Sequence, residues 1–344
     1  MSHQPAGGQG RQEQGRPGLR AHIAGSGCAR GSRQVPSEEV DRAFGMPVGK
    51  LRQRAGIESL AYAEEEECEL SLGTAAGKSA LEAAGAEARE LDWIIGTSET
   101  HHNYPSLSAQ LHASLAARED CAALDVGGGC LGVLNALAAA QSLLAGGQAR
   151  AIAVVSADVH SRTLVPGRVA GEFGGLFGDG ASAFVLRTAA ENAPFALGQF
   201  FFGCVGQYAR AVSVSDDKDG GLTLEFDGEA LSRAAISRMD KIIAAVEQRS
   251  GIARSKVGAF ATHQPNPRLV ALVAKQCGLA ASRFPDVARR MGNLGSSTCG
   301  VALHLALSDA ARENRGEAIF LASLGPGLLY GGGWVEGARV ERRG

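Results

Sequence analysis

Three residues spread widely along the chain carry the functional groups of nucleophilic acyl chemistry. Cys130 follows Gly127-Gly128-Gly129 and opens an Ala/Leu-rich helical run. Glycines let the backbone turn tightly and leave the thiol uncrowded, and a helix N-terminus offers free N–H groups and partial positive charge. Both favour the thiolate, the reactive form of cysteine. A lone cysteine is more often a small buried hydrophobe. The strand–Gly-Gly-Gly–Cys–helix setting sets Cys130 apart from Cys121 and Cys277, which read as core. His263 ends the apolar run Val257–Thr262 and leads into Gln264-Pro265-Asn266-Pro267. Strand ends feeding such loops often hold catalytic groups, although a single histidine there is more often structural. Asn293, in Gly292-Asn293-Leu294-Gly295-Ser296-Ser297, taken alone is a turn residue or helix cap. Gly325-Pro326-Gly327 offers backbone N–H groups to an oxyanion, except at Pro326, which has none. Together these form a Cys/His/Asn set. Papain-like proteases use the same set, but with a different motif around the cysteine.

The elements that must position these residues alternate between helix and strand. Leu70–Ala84, Ser106–Ala117 and Cys130–Ala145 read as helices. Leu91–Thr97, Ala122–Val126, Ala151–Ser156 and Ala181–Leu186 read as strands, with Gly178-Asp179-Gly180 as a turn. Continuous apolar strands in such an alternation predict an α/β fold whose sheet is covered on both faces. The second half echoes the first. LDWIIGT at 91–97 falls on VGAFATH at 257–263, and AIAVVS at 151–156 falls on AIFLAS at 318–323. The helix after Cys130 falls on the helix after Ser297. This predicts two similar α/β halves, 21–190 and 191–344, preceded by a disordered tail over 1–20. Cys130 then belongs to one half, and His263 and Asn293 to the other, as a composite site requires.

Composition narrows the class. The chain has 344 residues, 45% hydrophobic and 20% charged, with a net charge of −2. That supports a sizeable core and disfavours a nucleic-acid or membrane-surface binder. Seven cysteines, an odd number without a Cys-x-x-Cys pair, point to a reducing compartment. The first twenty residues lack the apolar core of a secretory signal, and no run is long enough to span a bilayer, so a cytoplasmic location is expected. His101-His102 beside Glu99 lack a third ligand at metal spacing, and no phosphate-binding glycine motif occurs, so no metal or nucleotide cofactor is expected. The chain has 47 glycines, about twice the usual ~7%; many cluster beside the candidate site residues, where a close backbone approach would explain them, while others, in the tail and at Gly146-Gly147, read as turns or compositional bias.

The order of motifs resembles the β-ketoacyl-acyl carrier protein synthase III family of thiolase-superfamily condensing enzymes. It runs from Cys130 on its glycine turn through Gly178-Asp179-Gly180-Ala181, His263-Gln264-Pro265-Asn266 and Gly292-Asn293 to Gly325-Pro326-Gly327. The resemblance extends from about His22 to the C-terminus and includes Arg54-Ala55-Gly56-Ile57-Glu58 and Tyr104-Pro105-Ser106. It implies a thiolase-like fold with two duplicated halves in an αβαβα five-layer core. It also implies that Cys130 accepts an acyl group from acyl-CoA or an acyl-carrier protein, and that malonyl-acyl carrier protein is then condensed onto it with loss of CO2. The Cys130, Gly325 and Gly327 N–H groups would form the oxyanion hole. His263 and Asn293 would stabilise the enolate, while Arg54, Tyr104 and Asn266 would bind substrate. Arg268 and Lys275 would dock the acidic carrier protein. A homodimer is implied, with Tyr104 reaching toward a partner copy. Lys50 stands where relatives often stack the primer's adenine on tryptophan, which favours a carrier-bound primer. An acyltransferase of the same fold, moving the acyl group to a hydroxyl or amine, is the alternative, and Asn293 argues for condensation. A non-catalytic partner subunit is disfavoured by the intact cysteine. A non-decarboxylating condensation would need a carboxylate base; Glu99 is the candidate, at a position that does not match the one relatives use.

Overall fold

The computed structural model describes residues 20–189, 195–208, 212–216, 222–226, 228–312 and 317–337. The tail expected over 1–20 lies outside them except for Arg20, which already belongs to the first strand. The strands of the first half are β1 (Arg20–Arg30), β2 (Arg33–Pro36), β3 (Ser59–Tyr62), β4 (Trp93–Thr97), β5 (Ala122–Asp125), β6 (Ala151–Val159) and β7 (Asp179–Ala189). Beyond them come β8 (Ala196–Leu197), β9 (Phe201–Cys204), β10 (Val212–Asp216), β11 (Leu222–Phe226), β12 (Ala259–Thr262), β13 (Ile319–Gly325) and β14 (Leu329–Glu336). The helices are α1 (Ser37–Ala43), α2 (Lys50–Arg54), α3 (Glu69–Ala83), α4 (Leu107–Ser114), α5 (Gly132–Ala145), α6 (Gly171–Gly174), α7 (Gly228–Ser250), α8 (Pro267–Gln276), α9 (Ala288–Met291) and α10 (Ser297–Arg312).

Strand alternation builds the layers. In β6, buried along its whole length, Ile152 and Val154 face one cluster while Ala151, Ala153, Val155 and Ala157 face another. Successive side chains on a strand point to opposite faces, so a strand buried at every position must be covered twice. The outer cover is α3 and α4, through residues such as Ala76, Ala80, Leu107 and Leu111. The inner cover is α5 and α10, through Leu134, Leu137, Val301, Ala302 and Leu303. The second half repeats the arrangement. Ile319 and Leu321 of β13 face the α5/α10 layer, whereas Phe320 and Ala322 face Ile242, Ile243 and Val246 of α7 and Val273 of α8. The order is therefore helix, sheet, helix, sheet, helix: the thiolase-like five-layer arrangement.

The strands run β12-β13-β14-β8-β1-β7-β6-β4-β5, with β9 beside β14. The two-residue β8 joins the halves, pairing antiparallel with β14 at Val335↔Leu197 and with β1 at His22↔Ala196. Parallel pairs β4/β6, β4/β5 and β12/β13 bring their C-terminal ends to one edge, the usual place for ligands in α/β sheets.

Gly178-Asp179-Gly180 is not the expected turn, because Asp179 already begins β7. The chain needs glycine there for proximity. A Cβ on Gly178 would lie 1.9 Å from the Met291 carbonyl oxygen, and the Gly178 N–H donates to the Asn293 carbonyl at 2.9 Å. Gly178→Ala is expected to cost about 1–3 kcal/mol by overpacking. It should lower the melting temperature by several degrees in a thermal denaturation scan; an unchanged midpoint would contradict the tight approach.

Candidate active site

The C-terminal strand edge gathers the candidate residues. After β5 the chain turns through Gly128 and Gly129, at φ +140° and +56°, conformations that favour glycine. Cys130 then sits in a single 3-10 turn, Gly129–Leu131, and α5 begins at Gly132. The Ser323 hydroxyl donates to the Cys130 carbonyl at 2.7 Å, tying the turn to β13. At the end of β13, a Cβ on Gly325 would stand 3.5 Å from the Cys130 nitrogen, so this strand end lies directly against the Cys130 backbone. Pro326 packs over Gly129, and Gly327, at φ +76°, opens toward unfilled space.

His263 follows β12 and is held by its own N–H, which donates to the Ala322 carbonyl at 3.1 Å. Its side chain is buried, and its Nδ1 has no hydrogen-bond partner among the described residues. Burial pushes its pKa down to about 4, so the imidazole is neutral at physiological pH and retains one N–H to donate. Asn293 is buried in the turn before α10, where its backbone bridges that of Phe177. Its Oδ1 accepts from the Gly295 N–H at 3.0 Å and the Thr298 hydroxyl at 3.2 Å. With the amide oxygen so engaged, the NH2 end is the one left to donate.

Around this set lies a polar cluster of which sequence reading singled out only Glu99 for chemistry. The Asp158 carboxylate, at the end of β6, is buried and accepts from five donors. These are the Glu99 N–H at 2.6 Å, the Ser98 hydroxyl at 3.3 Å, the Ser296 hydroxyl at 2.7 Å, and the Ser297 N–H and hydroxyl at 3.2 Å each. Glu99 Oε2 lies 3.4 Å from His160 Nε2. Burial opposes charge on both, but their mutual hydrogen bond and charges prevail, holding the Glu99 carboxyl below its usual range and the His160 imidazole above its own. The signal in sequence is the Asp158-Val159-His160 ending of a largely apolar strand.

Cys130 departs from expectation in its ionisation. Burial first, then the Glu99 charge, raise the thiol well above its ordinary value, and the turn's own N–H offsets only a little of this. The resting group is a thiol rather than a thiolate. Carboxamidomethylation of Cys130, followed by peptide mapping, should therefore be slow at pH 7 and rise about tenfold per pH unit beyond pH 8. A plateau below pH 7 would show that the helix end prevails after all.

The remaining candidates lie further out. Tyr104 is 99% exposed and does not reach Cys130 of its own chain. Asn266 caps α8, its Oδ1 accepting from the Leu269 N–H at 2.9 Å, and is only partly buried. Arg54, Arg268 and Lys275 are exposed. The Arg268 N–H donates to the Ala55 carbonyl at 3.1 Å, which places the Arg54 and Arg268 segments side by side. Arg289 and Arg290, which sequence reading missed, lie within 3.8 Å of Glu58 on the neighbouring surface. Lys50 pairs with Glu172 at 2.5 Å.

A buried cysteine, a neutral histidine and an asparagine amide, set at strand ends in a five-layer αβαβα fold, define a condensing enzyme of the thiolase type. Sequence models of 3-oxoacyl-[acyl-carrier-protein] synthase III match residues 124–206 and, for its C-terminal part, 248–336. The chain is 30% identical over 288 residues to the β-ketoacyl-[acyl-carrier-protein] synthase III of Haemophilus ducreyi, covering 82% of this chain and 88% of that protein. The chain belongs to the β-ketoacyl-[acyl-carrier-protein] synthase III family. Among solved structures, 3-oxoacyl-(acyl carrier protein) synthase III from Pseudomonas aeruginosa superposes with a TM-score of 0.82 at 24% identity, covering 93% of this chain and 99% of that one. The priming β-ketosynthase of the R1128 polyketide pathway superposes at 0.78 and 25% identity, covering 93% and 96%. The enzyme is thus an acyltransferase of the condensing kind. Among the described residues, no helix is long and apolar enough to cross a membrane.

Proposed function

We propose that the chain catalyses the priming condensation of fatty-acid or polyketide synthesis. Cys130 takes an acyl group from an acyl-CoA or acyl-carrier protein, and a malonyl group on acyl carrier protein then loses CO2 and attacks it. The observation that supports this most is a pair of buried donors, neutral His263 and the Asn293 NH2, with His263 and the buried Cys130 thiol both acting on the same Glu99 carboxylate. During acylation the Cys130 N–H, together with Gly325 or Gly327, holds the tetrahedral oxyanion. During condensation His263 and Asn293 hydrogen-bond the malonyl thioester oxygen and stabilise the enolate that CO2 loss leaves behind. The enolate attacks acyl-Cys130, releasing the β-ketoacyl product. Each such donor is worth about 3 kcal/mol. No metal or redox group enters this scheme.

Arg268 and Lys275, with Arg54 beside them, form a basic edge suited to an acidic carrier protein. Asn266 stands on the route from that edge toward His263. The proposed unit is a cytoplasmic homodimer in which a partner copy covers Tyr104, and the halves 21–190 and 191–344 are taken as duplicated units. Intact-protein mass spectrometry with acyl-CoAs and acyl-carrier proteins tests the scheme, together with CO2 release from malonyl-carrier protein. Acylation that survives Cys130→Ala, or acylation without CO2 release, would overturn it.

A further inference from the structure

The Glu99 carboxylate acts on the Cys130 thiol by charge and by hydrogen bonding, and nothing in the condensation scheme above uses it. Three observations define its situation. Its backbone is fixed, because the Glu99 N–H donates to Asp158 Oδ1 at 2.6 Å. Its two carboxylate oxygens are differentiated. Oε2 is paired with His160 Nε2 at 3.4 Å, whereas Oε1 is shut away from solvent with no hydrogen-bond partner among the described residues. Oε1 is also the oxygen turned toward the cysteine turn, since a Cβ on Gly129 would stand 4.0 Å from it. The space for the pair is made by Gly295, at φ +57°, where a Cβ would lie 2.4 Å from His160 Cε1 and 3.1 Å from Glu99 Cδ. Leaving a buried carboxylate oxygen unpaired costs free energy, so a built pocket that does so is holding an acceptor ready.

We propose that Glu99 is the general base of the acylation half-reaction, taking the Cys130 thiol proton as the sulfur attacks the primer thioester, with His160 holding its other oxygen. The inference rests on Cys130 being the acylated nucleophile. As the Sγ–C bond forms, the proton passes from Sγ to Glu99 Oε1. When the tetrahedral intermediate collapses, the carbon–sulfur bond to the primer carrier breaks, and the departing thiolate takes that proton from Glu99. Protons and charge balance within the half-reaction, and Glu99 ends as it began.

The titratable groups facing Glu99 fit this sequence. Burial opposes charge on His160, but its hydrogen bond to Glu99 and the charges of Asp158, Glu99 and Asp179 raise its pKa. His263 faces it as a neutral imidazole, and the Cys130 thiol is raised well above its ordinary value, after burial, by Glu99 itself. The Glu99 carboxylate is a weaker base than the Cys130 thiolate, so it does not favour ionising the thiol in advance. The transfer must therefore be concerted with attack, as in general-base catalysis.

The test compares two reactions of Cys130 in the wild type and in Glu99→Gln: acylation by acetyl- to octanoyl-CoA and the matching acyl-carrier proteins, and alkylation by iodoacetamide. Removing the charge eases ionisation of the thiol, so alkylation should become faster at a given pH. Removing the base should slow acylation at pH 7 by about 10²-fold or more and make its rate climb tenfold per pH unit where the wild-type rate is flat. Opposite signs in the two reactions support the assignment. Acylation at the wild-type rate, or both rates rising together, overturns it. So does a loss of both rates that Glu99→Asp, which keeps the carboxylate, does not partly restore. Wild-type protein that takes no acyl group, or Cys130→Ala that still does, overturns the nucleophile assignment and this inference with it. Normal acylation at Cys130 in both wild type and Glu99→Gln overturns this inference alone.

Discussion

Cys130→Ala should form no acyl adduct with any primer thioester and lose condensation by at least about 10⁴-fold, the scale of removing a covalent nucleophile. It should still release CO2 from malonyl-carrier protein. The separation follows from where the groups sit. The thiol belongs to the turn after β5, while His263 and Asn293 sit at the ends of β12 and before α10, each held by its own backbone contacts. Truncating the thiol leaves the His263 N–H bond to Ala322 and the Asn293 amide contacts untouched. Intact mass and radiolabelled CO2 release, measured on the same preparation, check both halves of the expectation. Decarboxylation lost in step with acylation would mean that enolate stabilisation depends on the cysteine.

Asn293 gives the second large effect, and the structure dictates the substitution. Alanine would remove the NH2 donor, but it would also strand the buried Gly295 N–H, at a cost of about 1–3 kcal/mol to the fold. Asn293→Asp keeps an oxygen for Gly295 and Thr298, and replaces the donating NH2 by a carboxylate oxygen that carries negative charge when ionised. Malonyl decarboxylation and condensation should fall about 100-fold, the ~3 kcal/mol of one oxyanion donor. Self-acylation of Cys130 should change by less than about fivefold, because its oxyanion faces the Cys130 and Gly325 backbone instead. Single-turnover acylation measured against steady-state CO2 release separates the two, and equal losses would remove Asn293 from the enolate role.

How far sequence alone reached depended on how local the cause was. The glycine turn before Cys130, the strand preceding His263 and the helix after Asn293 have local signatures. The offset between the halves assigns Cys130 to one half and His263 and Asn293 to the other. Gly178-Asp179-Gly180 failed because its glycine serves a contact with Met291, distant in the chain, rather than a turn. The ionisation of Cys130 failed for the same kind of reason. A helix end is visible in sequence, whereas the burial and the carboxylate that outweigh it belong to the folded pocket. Tyr104 resembles a pocket residue in its motif, yet in one chain it faces solvent.

The Asp158 carboxylate has a consequence for how this protein can change over evolutionary time. It accepts from Ser98 and Glu99 in the first half and from Ser296 and Ser297 in the second. Ser156, one turn of the pleat earlier, reaches Ser296 and Ser297 as well, at 2.8 Å. A half exchanged for its counterpart from a distant relative would bring hydroxyls and carboxylate that had never been selected together, at a place where water cannot repair the mismatch. A change on one side of this cluster is expected to need a matching change on the other. Fragments split between them should regain function only when both come from the same parent.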